Sequence, residues 1–552
     1  MTATGQSHWT LCLRPGWWLV PAFFALLVSV DSTAILAQDV GSATLITLNG
    51  EAEERLRLSQ ILGKSSAAGF LIRSASSLSS LGGTEDSSRA GYLTPEFRLI
   101  HNSGLPFSLN DGPLWASRGW NGSLLVGGFA HVRRLRLIVA PTLVSEQNLD
   151  FQVIPYRQDA TVPRNVWANP FHPPPESIDL PLRFGDRHRQ RIDAGQSSLT
   201  VDAGDVSVGL ATENLWWGPG IRNAIVLSSN ATGFPHAFVQ TRGPLSTPIG
   251  PVDAQLVLGA LRESEFFDGD ATNNTRTLSG LAATWTPWNH GLTVGAGRIV
   301  MGAQRNDDIP PSAVFDVFRS VGHANTDTVR VLTSSERDQI FTLFGRWVFP
   351  IVGFEAFAEW ARFEEPLSLR DFLEFPAHSQ GYTFGFQWAR PDTTTKRTFR
   401  LQGEATYLEP DASLRVRPVA SSYTSRGVPQ GFTNQGQTLG AAIGPGASSQ
   451  WLAGDMFAPD WRVGAYLGRI RWDNGTLFLP IVPQFRRQDV TLFAGVRGSY
   501  TWRGTNVLVD FSHGARFYYL FQAYVLPSGS QAGIDLINNT VSITVSRAVW
   551  PR

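Results

Sequence analysis

Cysteine is nearly absent: the 552-residue chain has one, Cys12. It lies in an N-terminal segment with the features of a secretory signal. Arg14 precedes an uncharged run from Trp17 to Val30, and small residues follow, with a cut expected near Ala34 or Ala37, before Gln38-Asp39. The run is short for an anchor helix. Removal of residues 1–37 leaves a mature chain without cysteine, so its stability must come from sheet closure or a large core. No other uncharged run approaches the roughly 20 residues of a membrane helix, which excludes helical spans but not a membrane barrel. Excess charge is also lacking. The 46 basic residues balance 46 acidic ones, so nothing suggests a nucleic-acid partner. Lysine is scarce beside arginine.

Motifs for chemistry are missing as well. The chain has no His-Glu-x-x-His, phosphate loop, Gly-x-Ser-x-Gly or Cys/His cluster, and its ten histidines are scattered. No cofactor, metal or catalytic residue is expected. Asp268-Gly269-Asp270-Ala271-Thr272-Asn273 has spaced oxygens like a calcium loop but lacks the distal Glu, and a polar hairpin loop is the better reading. Glu355 and Glu359 share one strand face about 13 Å apart at about 3.3 Å per residue, too far for a glycosidase pair. They read as lumen residues, and Glu364/Glu365 form a second acidic pair.

What is present is alternation. Val490, Leu492, Ala494, Val496, Tyr500 and Trp502 face one way, and Thr491, Arg497, Ser499, Thr501 and Arg503 the other, with Phe493 the exception. Phe399, Leu401, Ala405 and Tyr407 alternate with Arg400, Gln402, Glu404 and Thr406. Val541, Ile543, Val545 and Val549 alternate with Ser542, Thr544 and Ser546. Less regular segments occur at 255–264, 292–301, 340–349, 354–363, 461–472 and 505–517. Ser123–Gly128 and Arg134–Ala140 suggest a strand pair turning near Ala130. These runs match a tilted membrane strand in length. Their polar faces carry Arg, Glu and Gln, which suit a wet lumen better than a dry core. Trp285, Trp288, Trp347, Trp360, Trp388, Trp472, Trp502 and Trp550 fall at strand ends, where an interfacial girdle belongs. At about 25 residues per strand and connection, residues 95–552 allow about 16–18 strands. Strand length, lumen-like charges and aromatic ends favour an all-β, large transmembrane antiparallel barrel over a soluble exported sandwich or propeller, the latter lacking a fixed-period repeat.

Residues 38–94 differ. Leu58, Ile61 and Leu62 have helical spacing, with Asn49 as cap and Gly63 as stop. A Ser/Gly-rich stretch, 74–88, reads as a flexible connection, completing a small helical N-terminal module. Prolines at 155, 163, 170, 173, 174, 175 and 181 exclude a central strand or helix there, leaving a plug, a lid or a surface loop.

The most distinctive stretch runs from Glu213 through Asn214, Trp216-Trp217-Gly218-Pro219 and Arg222 to Ser228-Ser229-Asn230 and His236. A Trp pair beside a Gly/Pro turn is either a structural anchor or a stacking platform for a sugar. This stretch resembles the Wzi-type capsule assembly proteins of bacterial outer membranes. A second block agrees: Tyr423-Thr424-Ser425-Arg426-Gly427, then Gln430-Gly431-Phe432-Thr433-Asn434-Gln435-Gly436-Gln437-Thr438-Leu439-Gly440 and Gly444-Pro445-Gly446. Glu54-Arg55-Leu56-Arg57 agrees more weakly. The chain departs from the family in its Pro-rich 155–181 segment and in ending Trp550-Pro551-Arg552.

The resemblance implies a barrel of about 18 strands with a periplasmic helical bundle. It also implies a monomeric, lectin-like and non-enzymatic role in holding surface polysaccharide, with outer-membrane lipids and the barrel-insertion machinery as the other partners. Asn214, Trp216, Trp217, Gly218, Pro219, Arg222, Asn230, Tyr423, Gly431, Phe432, Gly436 and Gly440 are then family-motif residues, structural or glycan-contacting, with the Trp pair at a strand-end turn. The alternatives are an exported polysaccharide-modifying hydrolase or a sugar porin.

Overall fold

The computed structural model describes residues 41–82, 90–154, 165–173, 176–287, 291–304, 309–321, 336–366, 368–415, 419–478, 487–525, 527–528 and 531–547. The signal segment, Trp288, Val549 and Trp550-Pro551-Arg552 lie outside them, as do Pro155, Pro163, Pro174 and Pro175.

Eighteen antiparallel strands close into a barrel. They are β1 (Ala90–Asn102), β2 (Gly119–Val132), β3 (Leu135–Val139 and Thr142–Glu146), β4 (Arg189–Asp193 and Ser198–Ala203), β5 (Val206–Ala211), β6 (His236–Thr241), β7 (Val252–Arg262), β8 (Thr275–Trp285) and β9 (Leu292–Ala303). The second half comprises β10 (Arg337–Phe349), β11 (Phe354–Arg362), β12 (Gln380–Asp392), β13 (Arg397–Tyr407), β14 (Ser448–Phe457), β15 (Trp461–Arg471), β16 (Val490–Trp502), β17 (Thr505–Phe517) and β18 (Leu536–Arg547). Each pairs with its neighbour in sequence, and β18 closes on β1 over Thr540–Val545 and Phe97–Asn102. Closure leaves no open edge between first and last strands, which answers the lack of disulfides. The barrel begins at Ala90, ahead of the expected boundary at 95. Pro95, which has no amide to donate, sits in β1 where the register with β2 shifts between Leu93 and Glu96.

The alternation sets the two faces. Leu492, Val496, Tyr500 and Trp502 are exposed on the outside of β16, whereas Thr491, Phe493, Arg497 and Ser499 are buried inside. An exposed apolar outer surface over a polar, filled interior is the inverse of a soluble sandwich, and is the pattern of a membrane-spanning barrel. No helix among the described residues is long and apolar enough to cross a membrane. Connections alternate in length. Those such as β10–β11, β12–β13 and β16–β17 are tight turns. The opposite end carries the long connections, including 212–235 and 408–447.

Several local expectations change. The β2–β3 turn falls after Val132, with Arg133 at φ +57°, three residues beyond Ala130. Helix α1 (Glu51–Ile61) is capped by Gly50, not Asn49; the Asn49 amide instead donates to the Glu53 carboxylate. Gly63, at φ +69°, follows the helix end as expected. Leu58, Ile61 and Leu62 pack on Ala389 of β12 and Phe457 of β14, so α1 lies in the barrel at the short-turn end. The Ser-rich stretch is not a flexible connection where it is described. Ile72–Ser74 is a strand and Ala75–Gly82 is helix α2, because Ala75 and Leu78 find buried positions. Trp472 does not join a lipid-facing girdle. It is half-buried, and its indole N–H donates to Thr491 Oγ1 on the inner face of β16.

Candidate functional site

The two distinctive blocks are the β5–β6 and β13–β14 connections. Both fold back into the lumen and interlock. Leu215–Trp217 is not a strand-end turn of the barrel; it forms a separate antiparallel pair with Ile72–Ser74 of the N-terminal module. Trp217 is fully buried, and its indole N–H donates to Gln255 Oε1 on β7 at 2.8 Å. The wall makes room for the ring: a Cβ at Gly280 would lie 2.8 Å from Trp217 Cη2. Trp216 is also buried, under the Arg73 guanidinium, 5.2 Å from its ring centroid. Gly218 needs its φ of +112°, and its amide donates to the Leu71 carbonyl.

Wall carboxylates hold the turn that follows. Glu404 on β13 accepts the successive amides of Ile221, Arg222 and Asn223 at 2.5, 3.0 and 2.9 Å. Glu359 on β11 accepts the Ile225 amide at 3.2 Å. Glu355 accepts from Arg57 and Arg346, both at 2.8 Å. Glu355 and Glu359 thus point inward on one strand, occupied with the plug. Pro219 is buried, and half-buried Arg222 stacks 5.3 Å over Trp451.

The second block seals the first. Tyr423 is fully buried at φ +67°; its hydroxyl donates to the Ile225 carbonyl at 2.8 Å and accepts the Ala441 amide at 2.9 Å. A Cβ on Gly440 would collide with that same Ile225 carbonyl oxygen. Gly431 and Gly436 have φ of +61° and +80°, and the Phe432 amide donates to the Tyr423 carbonyl. Asn230 donates to the Thr438 carbonyl and accepts from Gln437 through its own carbonyl. Asn214 donates to the Ala231 carbonyl. The described part of the Pro-rich segment caps this assembly. Ser177 and Ser425 exchange backbone hydrogen bonds, and the Asp179 amide donates to the Gln430 carbonyl. Burial pushes the Asp179 carboxyl up to about 6, against two bonds from Ser264.

An ionic cluster fixes α1 below. Arg400, Arg462 and Arg497, from three strands, surround Asp455, and each reaches Glu54 of α1. Burial alone would raise the Glu54 pKa; the guanidinium groups of Arg462, Arg497 and Arg400 override it and hold the carboxyl well below its ordinary value.

The motif residues are thus mostly internal, and of the twelve only Asn230 and Gly436 reach the lining of the feature that opens at the long-loop end. A cleft of about 240 Å³ opens there between the loops. Trp115, Phe151 and Trp472, all half-buried, line it with Phe171, Tyr519 and Phe521. Arg516 lies 5.1 Å over the Trp472 ring and 4.8 Å over that of Tyr519, and pairs with Asp489 through two 2.7 Å contacts. The Asp473 carboxylate meets His172 Nε2 through its Oδ2, at 2.7 Å. Asn169 and residues 442–444 complete the lining. Such a cleft offers flat apolar faces beside fixed polar groups, which is chemistry suited to sugar rings and unsuited to catalysis by two free carboxyls. Nothing in the sequence announced it beyond Trp472, because its walls come from six connections. Asp268–Asn273 forms the β7–β8 connection, with Asp270 accepting from Thr272. No group of three or more potential metal ligands occurs among the described residues.

The family model for capsule assembly protein Wzi matches residues 119–469. Among solved structures, the chain is similar to Wzi of Escherichia coli, described as a carbohydrate-binding β-barrel involved in group 1 capsule assembly. The TM-score is 0.59 at 11% identity, covering 92% of this chain and 100% of that one. A BenF-like porin of Pseudomonas fluorescens Pf-5 matches at TM-score 0.39 and 8% identity, over 83% of this chain and 98% of the porin. OccAB3 of Acinetobacter baumannii matches at 0.39 and 8%, over 82% and 98%. No curated protein matches by sequence.

Proposed function

The chain belongs to the capsule assembly protein Wzi family, and on that premise we propose that it is an outer-membrane barrel that binds and organises capsular or other surface polysaccharide at the cell surface. In barrels of this kind the short turns face the periplasm and the long connections face outward. On that orientation α1 lies on the periplasmic side and the aromatic cleft on the outside. The aromatic cleft at the long-loop end supports this function. Trp115 and Trp472 present faces for sugar C–H surfaces, while Arg516 and Asn169 fix hydroxyls. One cleft binds a sugar weakly, and a repeating polymer multiplies the contacts over many barrels.

The role is non-catalytic. Asp473 and Asp489, the carboxylates of the cleft, are held by His172 and Arg516. The motif residues from Asn214 to Gly440 act structurally, as the plug that keeps the outer loops in place, with Asn230 and Gly436 also reaching the cleft. The protein works as a monomer, reaches the outer membrane by its signal segment and the barrel-insertion machinery, and meets outer-membrane lipids with its apolar band.

Deletion of the gene, followed by surface staining and assay of released polymer, tests the proposal. Loss of attached polysaccharide with continued release is the expected outcome. Full retention, together with glycan cleavage by the purified barrel, would replace the lectin with a hydrolase.

A further inference from the structure

The lumen is not filled evenly. The two motif blocks occupy the side of β7–β14, while a string of cavities follows the β16–β17–β18–β1 wall. A vestibule of about 290 Å³ reaches the short-turn end, where Thr501, Asn506 and Ser546 line it. It continues upward past Ser542, Thr540 and Ser512. A constriction of about 30 Å³ follows, sharing Ser512, Thr540 and Phe107 with the vestibule. It also shares Leu105, Phe107, Trp472 and Arg516 with the outer cleft. Phe107 is common to all three spaces.

We infer that these spaces form one closed path for small polar solutes, shut by Phe107 of the β1–β2 connection packed against Phe493 of β16. The rings meet edge to face, with centroids 5.6 Å apart and planes at 65°. Elsewhere the interlocked blocks fill the lumen with a broad apolar core and hydrogen bonds to wall carboxylates; at this edge of the core two rings alone separate the cavities. Phe493 is the one apolar interruption of the polar face of β16, so its position makes sense as a seal in a wet passage. The rest of the lining is hydroxyl-rich, and its charges include Asp111, Arg222, Arg497 and Asp510. Mixed charges suit water, ions of both signs and neutral solutes up to the size of a monosaccharide, and do not suit apolar molecules. The seal thus separates a hydroxyl-lined vestibule from the aromatic outer cleft.

Planar-bilayer recording of the full-length, detergent-purified protein in potassium chloride tests this. The wild type is expected to show no steady conductance, and Phe107→Ala steady open steps. Phe521→Ala, which alters the outer cleft away from the constriction, stays closed. Heat-modifiable migration establishes that each variant is folded, and Phe493→Ala, which widens the same point from the opposite side, serves if Phe107→Ala does not fold. Folded variants as silent as the wild type, or a wild type that conducts as they do, would overturn the inference. A second readout uses the mature chain's lack of cysteine. Ser542→Cys is expected to resist a membrane-impermeant maleimide added outside cells and to react once Phe107→Ala is added. Equal reactivity in both backgrounds would also overturn it.

Discussion

Removing one oxygen atom should loosen the plug. Tyr423→Phe keeps the ring in its pocket, so no cavity forms. It strips partners from two buried backbone groups, the Ile225 carbonyl and the Ala441 amide, which sit 2.8 and 2.9 Å from the hydroxyl. A buried polar group left unpaired costs about 1–3 kcal/mol, so local relaxation leaves a net loss of about 2–4 kcal/mol in the free energy of opening this region. At ~1.4 kcal/mol per tenfold, the open population rises about 30- to 1,000-fold. Trypsin reads this population. Arg426 lies in the second block and is ion-paired with Glu176 when the plug is closed. When opening and closing are fast relative to cleavage, cutting at Arg426 tracks the open fraction. Tyr407→Phe is the control, since Tyr407 stacks on Tyr382 at 5.4 Å outside this network. If Tyr423→Phe is cut within about twofold of wild type under those kinetics, the hydroxyl does not hold the two blocks together and the interlocking account fails.

Trp217→Ala removes a fully buried indole and should destabilise the folded barrel by about 3–5 kcal/mol, seen as a lower temperature for loss of heat-modifiable migration; an unchanged transition would contradict the anchoring role. Glu54→Gln leaves Arg400, Arg462 and Arg497 with Asp455 alone, and should cost about 3–5 kcal/mol of α1 docking, measured by hydrogen exchange across 51–61. The same bond gives a pH dependence. Because the folded pKa of Glu54 is depressed, its stabilisation is present above the ordinary carboxylate value of 4.5 and is lost as pH falls below it. Exchange in α1 should therefore accelerate in acid in the wild type and depend less on pH in Glu54→Gln.

The strands were legible because each spans enough residues for alternation to show. The faces of β13 and β16 follow it residue by residue, down to the exception at Phe493. The interlocking was not legible. Glu54 and its three arginines lie 346 to 443 positions apart, and nothing local marks a carboxylate that will meet a distant guanidinium. The same holds for Glu404, whose three amide donors lie 181 to 183 residues away. Trp216 and Trp217 were conspicuous but ambiguous, since an anchor and a sugar platform need the same rings; only their burial separates the two. Composition misled at 74–82, where serines that suit a linker form a helix because Leu78 is covered. Trp472 misled in the opposite sense: a strand-end position says nothing about which side of the wall the ring takes.

Binding of the detergent-purified barrel to an array of bacterial surface glycans tests the central claim most directly. The account predicts retention of at least one repeating polysaccharide, weakened about tenfold, or ~1.4 kcal/mol, by Trp472→Ala or Trp115→Ala, and kept by a plug variant that remains folded. An array blank for the wild type, or binding indifferent to both cleft tryptophans, would contradict it.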